Sequence, residues 1–315
     1  MTVATSASKP MPQRYYSPGK AVVPPRPLPQ MRTPARPQPA ESPVPLPRLG
    51  TGGHGRIVTF TSPSGGVGLS TMVALTGLTL AKRGIRCAML DADLSGGGLD
   101  VLLGIEHEPG LTLQDLDAPL GRIEGDALNH ELPQWEGLRV LSHSPWRGDP
   151  PDWWELQAAI EALGEANDVV LVDAGRGEAM AHAPELACSR RVVAIELSVL
   201  GMARAKAHLA GIDRLEGSVA GGDCGGDPLI VGMSPRGASR RASDTAVAMA
   251  EVIAYLGDDV LGPVRCVPSL CADILAGLGI RSVPRRNRRV IDAIADWIDD
   301  GSERSDRRER GRKGG

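Results

Sequence analysis

Apolar residues in this chain fall into short β-branched runs separated by stretches of helical period. Arg56–Thr61 (RIVTFT) reads as a buried strand, and Ile85–Leu90 as a second strand running into Asp91. Between them, Met72, Val73, Leu75, Leu78 and Leu80 follow helical spacing from Ser70 to Lys82, and Gly84 stops the pattern. Strand, helix and strand in this order make a βαβ unit, which requires a parallel sheet and a right-handed crossover. The alternation continues with strands at Leu138–Leu141, Val169–Val172, Val192–Leu197, Leu229–Met233 and Val260–Val267. Helical patterns lie between them at Trp154–Leu163, Met202–Leu209 and Thr245–Leu256, and a closing amphipathic helix covers Arg288–Asp299. The prediction is one α/β domain over residues 55–300, a doubly wound and mostly parallel sheet.

The ends differ from this body. Thirteen of the first 50 residues are Pro, which donates no backbone hydrogen bond, so residues 1–54 read as a disordered, Pro-rich, basic tail. Residues 301–315 read as a second disordered basic tail. Aromatic residues are only 3% of the chain, with a single Phe. The core must therefore be aliphatic, which suits helices packed on a parallel sheet. No apolar run approaches the roughly 18 to 20 residues of a membrane span, and the N-terminus has no signal-type apolar segment, so a cytoplasmic location is expected. Seven basic residues against one acidic in the first 50 give +6, whereas 22 basic against 34 acidic in 51–300 give −12. An acidic body with basic ends is not a dedicated nucleic-acid-binding domain. The five Cys form no C-x-x-C pair and the six His no metal spacing; reduced, mostly buried thiols are expected.

The segment that carries chemistry is S-P-S-G-G-V-G-L-S-T, Ser62 to Thr71, between the first strand and the first helix. Its glycines let backbone N–H groups turn toward an anion at a helix N-terminus. Ser64, Gly65, Gly66, Val67, Gly68, Leu69, Ser70 and Thr71 are the candidate phosphate-binding residues. D-A-D-L-S-G-G-G-L-D (Asp91 to Asp100) ends the second strand, and N-D-V-V-L-V-D-A-G-R-G (Asn167 to Gly177) is a buried strand ending in Asp173.

These three pieces, in this order, resemble the ParA/MinD superfamily of P-loop ATPases, whose deviant Walker A motif reads K-G-G-x-G-K-[ST]. Gly65, Gly66, Gly68, Ser70 and Thr71 match it. Ser64 stands at the superfamily's signature Lys, and Leu69 at the phosphate-binding Lys of active P-loops. The resemblance implies ATP with magnesium as ligand, Ser70, Asp93 and Asp173 on the magnesium side, and Asp93 as the catalytic, water-handling carboxylate. Met233–Ser234 stands where the family often has an adenine-reading Asn.

G-G-V-G-L-S-T, the following D-A-D and G-L-R-V-L-S (Gly137–Ser142) resemble most closely the CpaE/TadZ pilus-localisation proteins and the septum-site-determining (Ssd-like) proteins of actinobacteria, which also lack the P-loop Lys. That implies spatial organisation at a septum, pole, pilus or secretion apparatus, through protein contacts and a possible homodimer, with weak or no ATP hydrolysis. The alternatives are a slow ATPase cycling between monomer and dimer, and a partition protein binding DNA through Arg285, Arg286, Arg288 and Arg289. A tyrosine-kinase relative does not fit, because Tyr15, Tyr16 and Tyr255 are the only tyrosines and make no Tyr-rich tail. The apolar face of the closing helix also suits a peripheral membrane contact, and the paired Trp of P-P-D-W-W-E (Pro150 to Glu155) a partner surface.

Overall fold

A computed structural model describes residues 56–118, 121–218, 226–235 and 246–312, with side chains omitted for 184, 185, 218 and 301–312. The tail at 1–54 and the start of the helix expected at Thr245 lie outside these residues. The strands are β1 (Arg56–Thr61), β2 (Cys87–Asp91), β3 (Gln134–Trp135), β4 (Leu138–Leu141), β5 (Val169–Asp173), β6 (Arg190–Glu196), β7 (Leu229–Met233) and β8 (Val260–Val264). The helices are α1 (Leu69–Lys82), α2 (Leu99–Leu103), α3 (Gly125–Glu131), α4 (Trp153–Ala166), α5 (Pro184–Cys188), α6 (Val199–Ser218), α7 (Met249–Leu256), α8 (Pro268–Leu275) and α9 (Arg285–Arg312).

The strands form one sheet in the order β3-β4-β2-β5-β1-β6-β7-β8, parallel except for the two-residue edge strand β3. This is the doubly wound α/β architecture expected from the sequence. Within the buried strands, alternate side chains enter different cores: Val169 and Leu171 of β5 face α1, α8 and α9, while Val170 and Val172 face the layer of α4. The central pairing is in register, Phe60 opposite Asp173 and Asp91 opposite Asp173. The turns after β1, β2 and β5 therefore leave the same edge of the sheet side by side. β1 lies between β5 and β6; successive crossovers diverge there, and in such folds the crevice at that point takes ligands.

The closing helix is longer than its pattern suggested. It starts at Arg285, and its backbone stays helical to Arg312, through most of the stretch read above as a tail. Ile291, Ile294, Ala295 and Ile298 are fully buried, so the apolar face read as suited to a membrane is packed on α1 and the sheet. Arg83 pairs with Asp296 at 2.8 Å, Arg190 lies 3.7 Å over the Trp297 ring, and Arg56 and Arg190 both donate to the Ile298 carbonyl. Among the described residues, no helix is long and apolar enough to cross a membrane.

Of the paired tryptophans, Trp153 stacks on His182 (centroids 3.9 Å apart), while Trp154 is exposed. Glu155 accepts the Asp152 backbone N–H at 2.9 Å, half of a capping box that starts α4. Cys188 is disulfide-bonded, contrary to the expectation of reduced thiols, and Cys224 lies outside the described residues. Cys87 is buried in β2, and burial pushes its thiol up to about 12.

Two expectations follow. Ile294→Ala removes a fully buried branched side chain and should cost about 2–5 kcal/mol of unfolding free energy, read by denaturant titration; a change below about 0.5 kcal/mol, the size typical of a surface site, would show that α9 is not docked. Cys87 should resist iodoacetamide in the native protein near pH 8, where the thiolate is the reactive form, and react only after unfolding. Native-state labelling of Cys87 would show that β2 opens.

Candidate functional site

The first turn of the sheet edge is the glycine loop. β1 ends at Thr61, and Gly68 forms the N-cap of α1 with φ 96°, a left-handed conformation that a side chain disfavours. The loop is anchored on both sides. The Ser62 N–H donates to the Gly175 carbonyl at 2.9 Å, and the Ser62 hydroxyl donates to the Ala194 carbonyl at 2.7 Å. A cavity of about 180 Å³ opens beside it.

Ser64, Gly65, Gly66, Gly68, Leu69, Ser70, Thr71, Asp93 and Asp173 all line this cavity, so the structure brings together nearly every residue singled out by the sequence. Val67 is the exception; it lines a neighbouring apolar cavity of about 420 Å³ that shares Gly68, Thr71 and Leu102 with the first. Leu69 is mostly enclosed and belongs to the core under α1. Ser64 is 3% exposed, and its hydroxyl has no hydrogen-bond partner. A buried hydroxyl without a partner normally costs about 1–3 kcal/mol, so its position in the cavity wall points to a ligand.

The acidic side is built by β2 and β5. Asp91 accepts the backbone N–H of Asp93 at 3.2 Å and of Leu99 at 3.1 Å, closing the D-A-D-L-S-G-G-G-L segment on itself. Asp173 accepts from the Gly175 N–H at 3.1 Å. Burial raises the pKa of Asp173, with Asp93 adding to the shift, while the Ser70 hydroxyl and the Gly175 N–H oppose it. Asp91 is pushed well up by burial and by the charge of Asp173. Asp93 caps its own turn, accepting from the Ser95 hydroxyl at 2.9 Å and the Gly96 N–H at 3.0 Å. Gly175 permits its position: a Cβ at Gly175, where φ is 51°, would lie 2.4 Å from Asp93 Cγ.

Sequence reasoning missed the clamp that holds the Asp93 segment. His143, buried after β4, accepts from Gln114 Nε2 at Nδ1 (2.7 Å), donates from Nε2 to the Leu94 carbonyl (3.1 Å), and its carbonyl accepts the Gly98 N–H (3.0 Å). Burial lowers the His143 pKa, in keeping with the neutral ring this pattern requires. Ser144 adds a 2.8 Å bond to Asp100. H-S at 143–144 follows a strand without any motif, so no pattern marked it. Two further features escaped the reading. Arg176 lines the glycine-loop cavity, and Cys266 and Cys271, with sulfurs 3.6 Å apart, border the apolar one. Asn287, beside that second cavity, spends both ends of its amide on the Arg265 backbone at 2.9 Å.

A family model described as ParA: NUBPL iron-transfer P-loop NTPase matches residues 54–123. The chain is 39% identical over 135 residues to the chloroplastic septum site-determining protein minD homolog of Arabidopsis thaliana, covering 39% of each chain. It is 27% identical over 243 residues to an uncharacterized protein of Mycobacterium tuberculosis, covering 76% of this chain and 62% of the other. The matches span about a third of the length of the MinD relatives. MinD of Pyrococcus horikoshii, solved with Mg-ADP, superposes with a TM-score of 0.52 at 17% identity, over 79% of this chain and 98% of that one. Over residues 54–123, which hold the glycine loop and the Asp93 segment, the chain is therefore similar to the ParA P-loop NTPase model, and its fold is shared with the MinD structure.

Proposed function

We propose that this chain is a spatial-organisation protein that works through protein contacts, with nucleotide held weakly and hydrolysed little or not at all. The observation that carries this reading is the intact backbone cradle at Gly65–Thr71 with Ser64 and Leu69 at both lysine positions. Loss of one charge-assisted phosphate contact of about 1.5–3 kcal/mol weakens binding roughly 10- to 100-fold. Hydrolysis suffers more, because charge builds on the phosphoryl oxygens in the transition state.

ATP with magnesium fits the residues present. The partnerless Ser64 hydroxyl and the N–H groups at the start of α1 suit phosphate oxygens. Ser70 and Asp173 face one another on the acidic side and would hold the cation, with Asp93 beside them. Among the described residues, no three His, Cys, Asp or Glu form a preformed metal cage, and magnesium bound through phosphates and one or two carboxylates needs none. The bound group would supply charge that links the P-loop to the Asp93 segment. Asp93 itself is turned into its own loop by Ser95 and Gly96, which favours a switch-like role over water activation.

Contact surfaces lie on the same edge. Trp146 (62% exposed) follows β4, and Val199 (77%) and Leu200 (58%) follow β6. A partner seated there would meet the loops that surround the cavity. Its class is a component of the division, pilus or secretion machinery, or a second copy of the chain, with recruitment from the cytoplasm to a septum or pole. The name of the Arabidopsis relative favours the septum.

A second reading, DNA contact, is favoured by one observation: Arg285, Arg288 and Arg289 border one shallow surface cleft at the start of α9, with Arg286 exposed nearby. Asp292 and Asp296 border the same cleft and work against a phosphate backbone.

Three measurements test these readings. Phosphate release from Mg-ATP should stay near background in the unmodified protein and in Asp173→Ala alike; robust release abolished by Asp173→Ala would overturn the weak-hydrolysis reading. Leu69→Lys should tighten ATP binding about 10- to 100-fold, with melting temperature followed because position 69 is enclosed. If DNA is a partner, duplex binding should fall steeply with salt and be lost when the four arginines become Ala. No binding at about 50 mM salt, where phosphate contacts are strong, would remove that reading.

A further inference from the structure

The glycine-loop cavity has an orphaned hydroxyl, a helix N-terminus and two carboxylates on its walls, but neither of the lysines that such a loop normally uses. Arg176 is the only basic residue among the described residues that line it. The backbone of Arg176 is tightly placed. Ala174 donates to the Phe60 carbonyl at 2.9 Å, Gly177 donates to the Ala174 carbonyl at 2.7 Å, and the Gly175 carbonyl accepts from Ser62. This turn thus fixes the base of Arg176 against the strand that carries the glycine loop. Its side chain is exposed, and its guanidinium has no ion-pair or hydrogen-bond partner among the described residues.

An unpaired guanidinium next to buried Asp173 and half-buried Asp93 has an obvious alternative, an ion pair with either carboxylate. The structure shows neither. Asp173 is directed to the Gly175 N–H and the Ser70 hydroxyl, and Asp93 to its own turn. The planar fork of an arginine matches phosphate oxygens two at a time, a geometry that a lysine does not offer.

We infer that Arg176 supplies the cation that Ser64 and Leu69 do not, so that the cavity takes the phosphate chain of a nucleoside polyphosphate between Arg176 on one wall and Ser64 with the α1 N-terminus on the other. The inference rests on the nucleotide-holding part of the reading above and deepens it: the phosphate-facing charge has moved from the P-loop to the turn after β5. Charge placed there couples occupancy of the cavity to the turn that Asp93 touches through Gly175.

The test is equilibrium binding of Mg-ATP, by displacement of a fluorescent ATP analogue, to the full chain and to Arg176→Ala, Arg176→Lys and Leu69→Lys. Arg176→Ala should weaken binding about 10- to 100-fold, and Arg176→Lys should retain part of the affinity. Rising salt should weaken the unmodified protein more than Arg176→Ala, because the lost contact is a screened charge. Without nucleotide, both Arg176 variants should melt with the unmodified protein, since the side chain is exposed. Equal affinity and equal salt dependence of Arg176→Ala and the unmodified chain would overturn the assignment while leaving nucleotide binding intact. No binding by the unmodified chain, with binding recovered in Leu69→Lys, would overturn the nucleotide-holding reading itself and Arg176 with it.

Discussion

The in-register pairing of β5 with β1 on one side and β2 on the other fixes where every group at the cavity stands. Parallel strands joined by helices all present their C-terminal ends on one edge. The register Phe60–Asp173–Asp91 then sets the glycine loop, the Asp173 turn and the Asp93 segment within hydrogen-bonding reach of one another. The backbone bonds from Ser62 to Gly175 and from Ala92 to Asp173 belong to this alignment. A slip of one residue would turn alternate side chains of a strand buried on both faces into the wrong layer. The site geometry is therefore protected by the same aliphatic packing that stabilises the domain.

Much of this was legible in the sequence because it depends on local rules. Continuous apolar runs ending in Asp mark β2 and β5, and the glycines at 65, 66 and 68 mark a turn where side chains are disfavoured. The loop residues apart from Val67 do meet Asp93 and Asp173 at one cavity. What was not legible depends on contacts distant in sequence. α2, α3, α5 and α8 are too short to show a period, and β3 has two residues. The His143 clamp joins positions 94, 98, 114 and 143 from separate loops. Arg176 was visible only as one more charge in a turn, since the fold, not its neighbours in sequence, brings it to the cavity wall. The closing helix misled in another way. A face with Ile291, Ile294 and Ile298 reads alike whether it meets lipid or protein, and packing alone decides.

The electrostatics of the cavity follow from burial more than from count. Asp91 and Asp173 sit side by side, both buried, and each is pushed toward its neutral form. Their oxygens are largely occupied by backbone N–H groups, which spreads charge over the peptide frame instead of pairing it with a cation.

The grip of α9 on the first strand has a consequence for how the chain is made. Arg56, the first residue of β1, donates to the carbonyl of Ile298, 242 positions later. During synthesis the N-terminal segments emerge first, so the part of α1 and of the sheet that α9 covers must wait, exposed, until the last helix leaves the ribosome. Ile291, Ile294 and Ile298 complete that face only then. A nascent or truncated chain ending before α9 carries an exposed aliphatic surface on the half that holds the glycine loop, a surface of the kind that chaperones retain and proteases clear.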